Sequence, residues 1–211
     1  MTASGTERPQ AGGPGGSGGP GGQVLVLSGP PGAGKTTVAR LLADELLPSP
    51  TVHLHTDDFW AVIRQGVIAP FLPESRRQNE TVVGVLAHAA AAYAAGGYRV
   101  VVDGVVGPWF VDPYRAAARA AGVALHYAVL RPDESTTLSR GTTRADHPLT
   151  EPEPIRLMYA QFRELGAYEG HALDTSALAP AATADLVLAT LAAGRLRLDP
   201  PARPPAQPPE V

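Results

Sequence analysis

An α/β fold, with a parallel sheet covered by helices, is predicted by three observations. Short apolar or β-branched runs alternate with longer alanine- and leucine-rich segments along the chain. The first and third of these runs, V-L-V-L and V-V-V, are continuous rather than alternating, as strands buried on both faces require. The first run also leads through a glycine-rich turn into an alanine- and leucine-bearing segment, a strand–loop–helix order.

Residues 1–22 are dominated by Gly, Pro, Ser, Thr and Gln and offer too little apolar surface to offset the entropy of ordering them. A disordered tail is expected there, and a flexible proline-rich extension over 199–211. The intervening residues 23–198 form one domain, since 211 residues suffice for a single α/β core but not for two of ordinary size. Strands are expected at 23–28, 51–56, 99–103 and 124–130, with a weaker one at 172–175. Helices fit 35–47, 74–95, 113–121, 133–143, 154–165 and 181–193.

Composition narrows the function. The net charge of −3 gives no broad attraction to nucleic-acid backbones or anionic lipid. With no cysteine, disulfides, thiolate zinc sites and cysteine nucleophiles are excluded. The N-terminus lacks a basic segment followed by an apolar run, and no stretch of about 18 apolar residues occurs, so a cytoplasmic protein without nucleic-acid or membrane partners is expected.

After the first strand comes Gly29-Pro30-Pro31-Gly32-Ala33-Gly34-Lys35-Thr36, which satisfies G-x-x-x-x-G-K-[ST] between a strand and a helix. Glycines let backbone N–H groups turn inward around a phosphate, and the helix that follows adds its positive end. Lys35 then meets the β- and γ-phosphates, the Thr36 hydroxyl coordinates Mg²⁺, and Thr37 adds a phosphate hydrogen bond. Lys35 is the only lysine; the other sixteen basic residues are arginine. A guanine-reading Asn-Lys-x-Asp motif is therefore impossible, which excludes a typical GTPase.

The acidic residues at strand ends bear on the reaction. Asp103 closes the third strand and is placed to hold Mg²⁺ directly or through water; capping the next turn is the simpler alternative. Gly104 stands where many motor ATPases have a water-activating glutamate, which argues against that class. The second strand runs into Asp57 and Asp58 at its carboxyl end, where α/β sheets bind ligands. Asp57 is the candidate base for an attacking hydroxyl; Asp58 is read as a cap of the short helix that follows, and a capping role for both is the simpler alternative. His53 and His55 share one strand face, and packing is the expected role. Arg140 and Arg144, four apart on a helix opened by Asp133, can close over a transferring phosphate as a lid or form a solvated basic face. Gly141 between them is expected to loosen that helix.

The loop, the Asp57 pair, the D-G at 103–104 and the arginine segment together resemble the small-molecule kinases of the P-loop superfamily, among them adenylate-, gluconate- and shikimate-kinase-like proteins, nucleoside kinases and chloramphenicol phosphotransferase. The stretches H-T-D-D-F-W, V-V-V-D-G-V-V-G-P-W-F and L-R-P are similar to bacterial proteins described as AAA-family ATPases or phosphotransferase-like ATP-binding proteins. That resemblance spans nearly all of 23–195. It implies a three-layer α/β/α P-loop NTPase fold with strand order 2-3-1-4-5, ATP with Mg²⁺ as donor, and a small-molecule hydroxyl acceptor. It also implies that Asp57 matches the base, that Gly104 to Gly107 with Trp109 approach the acceptor, and that residues 65–79, with Phe71, Arg76, Arg77 and Asn79, occupy the acceptor-binding region. Trp109 and Phe110 wall the acceptor site or pack in the core, and Arg76 and Arg77 receive an acidic acceptor or simply begin an exposed helix. Asp174 and Thr175 fall where related proteins pass the adenine. A regulatory ATP-binding protein with slow hydrolysis is the competing reading.

Overall fold

A computed structural model describes residues 21–143 and 150–198. Five parallel strands form one sheet: β1 (Gln23–Ser28), β2 (Thr51–His55), β3 (Arg99–Asp103), β4 (Ala124–Leu130) and β5 (Ala172–Leu173), in the order β2-β3-β1-β4-β5. The central strand pairs β3 on one side, with Leu27 opposite Asp103, and β4 on the other, with Ser28 opposite Val129. The loop after β1 thus leaves from the middle of the sheet's carboxyl edge, between the two sides of the site.

Alternation along the buried strands divides the core into two layers. Val24, Val26, Val100 and Val102 point to the face covered by α3 (Arg76–Ala95) and α4 (Val111–Ala121). Leu25, Leu27 and Val101 point to the opposite face, against α1 (Lys35–Leu41) and α7 (Pro180–Ala192). Alanines on the inner side of α3, at 87, 90, 91 and 94, let that helix lie close to the sheet and to α4.

Several boundaries differ from expectation. The first helix does not run unbroken to 47: after α1 it widens into a π-helical turn over Leu42–Leu46, with the Leu47 N–H donating to the Leu42 carbonyl at 2.8 Å. The second strand ends at His55, and Thr56 already opens α2 (Thr56–Ala61). Asp58 is therefore not a cap; His55 holds the N-cap position, and both aspartates lie in the first turn, where carboxylates favour the helix dipole. A 3₁₀ turn over Pro73–Ser75 precedes α3, and α4 begins two residues before 113. The next two helices are α5 (Glu134–Thr142) and α6 (Pro152–Ala160). Pro152 starts α6 early, its missing N–H costing nothing at that end. The last strand is only two residues long, and the edge of β4 beside it is filled by a returning segment no apolar period announces. There the Leu196 carbonyl accepts from Tyr127 N–H at 2.8 Å and Leu198 N–H donates to Leu125 at 2.9 Å.

Candidate active site

The phosphate-type loop between β1 and α1 is shaped by its glycines. Gly34 takes φ 84° at the N-cap of α1, and Gly32, at φ 88°, lies so close to the Thr137 carbonyl of α5 that a Cβ there would collide with it. The Ala33 N–H donates to the Pro30 carbonyl at 3.2 Å, and the nearly buried Lys35 folds back so that Nζ donates to the same carbonyl at 2.9 Å. Below the loop, Ser28 and Tyr127 hold the turn after β3. The Ser28 hydroxyl accepts from Val106 N–H at 3.0 Å and donates to the Val106 carbonyl at 2.7 Å, and the Tyr127 hydroxyl donates to that carbonyl at 2.6 Å.

Pairing of β2 with β3 sets His55 opposite Asp103, and α1 brings Thr36 over the same position. Asp103 is wholly buried. One of its oxygens, Oδ2, accepts from the Thr36 hydroxyl at 2.6 Å; the other, Oδ1, lies 2.6 Å from His53 Nε2 and 3.0 Å from His55 Nδ1. Burial alone would raise this carboxyl, but hydrogen bonds from His53, His55 and Thr36 favour its charged form and hold it well below the usual carboxylate range. The hydrogen bond to Asp103 in turn raises His55 above its ordinary value; burial opposes this, and the charges of Asp103, Asp57 and Asp58 add to it. The other ring nitrogen of His55 lies 3.6 Å from Asp57 Oδ2, whose side chain is 64% exposed. Thr36, Asp103, His55 and Asp57 thus form one connected row along the carboxyl edge of β1, β3 and β2.

The two histidines correct the sequence reading. They are not packing residues but polar partners of a buried charge. Their i, i+2 spacing was visible; their partner lies about fifty positions away, and only the strand pairing reveals it.

Arg140 is not brought to this row. Its guanidinium lies 3.4 Å from the carbonyls of Ser176 and Leu178, in the loop after β5, on the other side of the central strand. Asp174 organises that loop by accepting from Ser176 N–H at 3.0 Å and from its hydroxyl at 2.6 Å, while the Ser176 hydroxyl accepts from Asp133 N–H at 2.8 Å. Thr175 is buried beside it. Arg144 lies outside the described residues. Gly141 does not loosen α5. It is pressed toward Gly32 on one side and Ile155 on the other, so its missing side chain serves close packing.

On the β3 side, the Trp109 ring covers Gly107, where any Cβ would strike it, and meets Phe162 edge-on at 5.9 Å. Phe110 stands beside it at 6.4 Å. Asn79 is buried and committed: its Oδ1 accepts from Trp60 Nε1 at 3.0 Å, and its amide donates to the Pro70 carbonyl at 2.7 Å and the Ser75 hydroxyl at 2.8 Å. Arg76 pairs with Glu80 at 2.9 Å on the surface, and Phe71 is exposed. Arg77 lines an open cavity of about 620 Å³ with Phe59, Val62, Ile63 and Val85. A helical spacing of two residues puts Phe59 and Asp57 on opposite faces of α2, and none of Thr36, Asp103, His55 and Asp57 is among the residues that line the cavity.

Comparison with known proteins agrees with this architecture. No curated protein matches the chain. Among solved structures, a sugar kinase from Janibacter sp. HTCC2649 is 21% identical, with a TM-score of 0.59 over 81% of this chain and 95% of that one. The APS kinase of Mycobacterium tuberculosis in complex with AMPPNP and APS is 17% identical, with a TM-score of 0.60 over 82% and 99%. A gluconokinase from Sinorhizobium meliloti 1021 is 19% identical, with a TM-score of 0.56 over 82% and 93%. The chain shares with these proteins a fold built on a five-stranded parallel sheet, here in the order 2-3-1-4-5. A model of an AAA domain family matches residues 24–166, from the first strand to the turn after α6, and the chain belongs to that family.

Proposed function

We propose that the protein is a kinase that transfers the γ-phosphoryl group of ATP to a hydroxyl of a small molecule. The observation that carries this reading is the row from Thr36 through Asp103 and His55 to Asp57, which sets an exposed carboxylate beside a phosphate-type loop on one edge of the sheet.

The donor set fits Mg²⁺. Thr36 gives its hydroxyl proton to Asp103, which leaves oxygen lone pairs for a hard cation. Asp103, buried and already accepting three hydrogen bonds, fits a place behind Thr36 rather than on the metal itself. When bound, MgATP supplies the transferable phosphoryl group and a cation that neutralises its charge. Backbone N–H groups of Gly29, Gly32, Ala33 and Gly34 with those of Lys35, Thr36 and Thr37 would hold phosphate oxygens, and Lys35, which donates to the Pro30 carbonyl, would exchange that partner for them. Asp57 would take the proton of the acceptor hydroxyl as the acceptor oxygen bonds to the γ-phosphorus and the bond from that phosphorus to the departing ADP oxygen breaks, a task that depends on position more than on basicity. Arg140 and Asp174, joined through the loop after β5, would with Thr175 border the nucleoside end, so in this arrangement Arg140 would serve the donor nucleotide. Trp109 and Phe110 wall the acceptor. The net charge of −3 speaks against a nucleic-acid partner, and among the described residues no helix is long and apolar enough to cross a membrane; a cytoplasmic kinase is consistent with both.

ADP release from MgATP, measured against a panel of nucleosides, sugars, antibiotics and small acids, tests the proposal. Acceptor-dependent turnover is expected, abolished by Lys35→Ala and reduced about 10²–10⁴-fold by Asp57→Asn. Hydrolysis independent of every acceptor would replace this reading with a slow ATPase whose loop orders a switch.

A further inference from the structure

Among the described residues, His55 is the side chain that touches both acidic members of the row. Its Nδ1 lies 3.0 Å from Asp103 Oδ1 and its Nε2 lies 3.6 Å from Asp57 Oδ2. The two ring nitrogens face different directions on a rigid plane, so a ring seated on Asp103 has no freedom left in where it aims Nε2. The seat itself is fixed twice over. His53 Nε2 shares the same carboxylate oxygen at 2.6 Å, and the register of β2 on β3 sets His55 directly opposite Asp103. Asp57 has no such support. It is exposed at the start of a six-residue helix, and among the described residues the one hydrogen bond given to its carboxylate is a long one, 3.3 Å from the neighbouring Thr56 hydroxyl. A carboxylate with two free torsions has to be aimed if alignment is what the reaction needs.

We propose that His55 is a positioning residue for Asp57: held on Asp103 by Nδ1, it presents Nε2–H to the Asp57 carboxylate and so fixes the base relative to the phosphate loop. The proposal rests on the kinase reading for the role of Asp57, not for the contact. At 3.6 Å the pair is at ion-pair distance and beyond hydrogen-bond reach; catalytic contacts are often long before a site is filled and tighten in the complex.

Two variants separate the ring's two edges. His55→Asn keeps a donor where Nδ1 stands and loses the one toward Asp57; His55→Gln reaches the Nε2 position and loses the seat on Asp103. Initial rates of ADP release from MgATP are measured with water as acceptor and with any panel compound that turns over. His55→Asn is expected to lower kcat about tenfold or more with KM for ATP within about twofold, and His55→Gln to recover part of that loss. In an Asp57→Asn background, His55→Asn should lower kcat no further, because the two residues act as a unit. The contact is read separately from ¹⁵N-histidine spectra of the full chain. Asp57→Asn should move the His55 Nε2 resonance and leave Nδ1 in place, with His55→Gln supplying the assignment and thermal melts confirming that each variant folds. An unchanged kcat in His55→Asn, effects that multiply in the double variant, or an Nε2 resonance indifferent to Asp57 would each overturn the proposal. If wild type releases no ADP with any acceptor, the kinase reading fails, and the spectra still decide the contact.

Discussion

Asp103 is a wholly buried carboxylate that stays ionised because three donors converge on it, from α1 and from two positions of β2. Removing it strands those donors rather than merely deleting a bond. Asp103→Ala is therefore expected to cost about 2–4 kcal/mol, read as a lower midpoint in urea unfolding; an unchanged midpoint would mean that water replaces the carboxylate freely. The same cluster makes stability depend on pH, with opposite signs for its members. His55 is raised in the folded state, so its contribution is complete below its ordinary value of 6.5 and is lost as pH rises through the higher folded value. Asp103 is lowered, so its contribution is complete above its ordinary value of 3.8 and is lost as pH falls toward the folded value. Between about pH 6 and about pH 8.5 the unfolding midpoint of wild type should therefore fall more steeply than that of His55→Asn. Parallel slopes would show that His55 is not paired in solution. Gly104, next to Asp103, is fixed by sterics instead: a Cβ there would strike the buried Thr56 side chain. A glutamate in the motor-ATPase position would thus need more than a change of chemistry.

At the scale of elements, α5 is caught between the phosphate loop and α6, and its two glycine contacts differ in kind. A Cβ at Gly32 meets a backbone carbonyl, at a φ of 88° that other residues rarely adopt. Neither constraint can relax locally. A Cβ at Gly141 meets the flexible tip of Ile155 at 2.9 Å, while alanine is a better helix former than glycine by about 1 kcal/mol. Gly32→Ala is accordingly expected to abolish MgATP binding in titration calorimetry and to lower the melting temperature. Gly141→Ala should melt within about 3 °C of wild type, a shift of about 1 kcal/mol or less for a domain of this size. Equal losses in both would show that α5 cannot shift against α6 at all. This layer also shows what the sequence did and did not disclose. The central strands were legible because burial on both faces writes itself as an unbroken apolar run, and the loop because its chemistry demands glycine at set intervals. The start of α2 at Thr56 was not, since nothing in H-L-H-T-D-D marks where an extended backbone turns helical. Nor were the contacts of Arg140: a four-residue spacing tells which face two arginines share, but not whether that face meets the acceptor or the loop after β5.

For the molecule as a whole, the sheet is not complete at β5. That strand pairs with β4 only at Val129 and Leu130, and the remainder of the β4 edge is closed by the returning segment at 195–198. Leu196, fully buried, belongs to the α1 and α7 core, and Leu198 to the α3 and α4 core. A segment of four residues therefore plugs both layers at once and satisfies backbone groups of Leu125 and Tyr127 that would otherwise be left at an open edge. Burial of two leucines is worth about 3–6 kcal/mol, a large share of the 5–15 kcal/mol typical of a folded domain. A chain ending after Gly194 should unfold at a markedly lower urea concentration and lose the stabilisation by MgATP that wild type gains, about 2.7 kcal/mol at a hundredfold excess over Kd. A chain ending after Leu198 keeps both leucines and should match the full-length protein in both measurements. If the two truncations behave alike, the edge of β4 tolerates exposure and the returning segment is a passive tail rather than a sixth element of the fold.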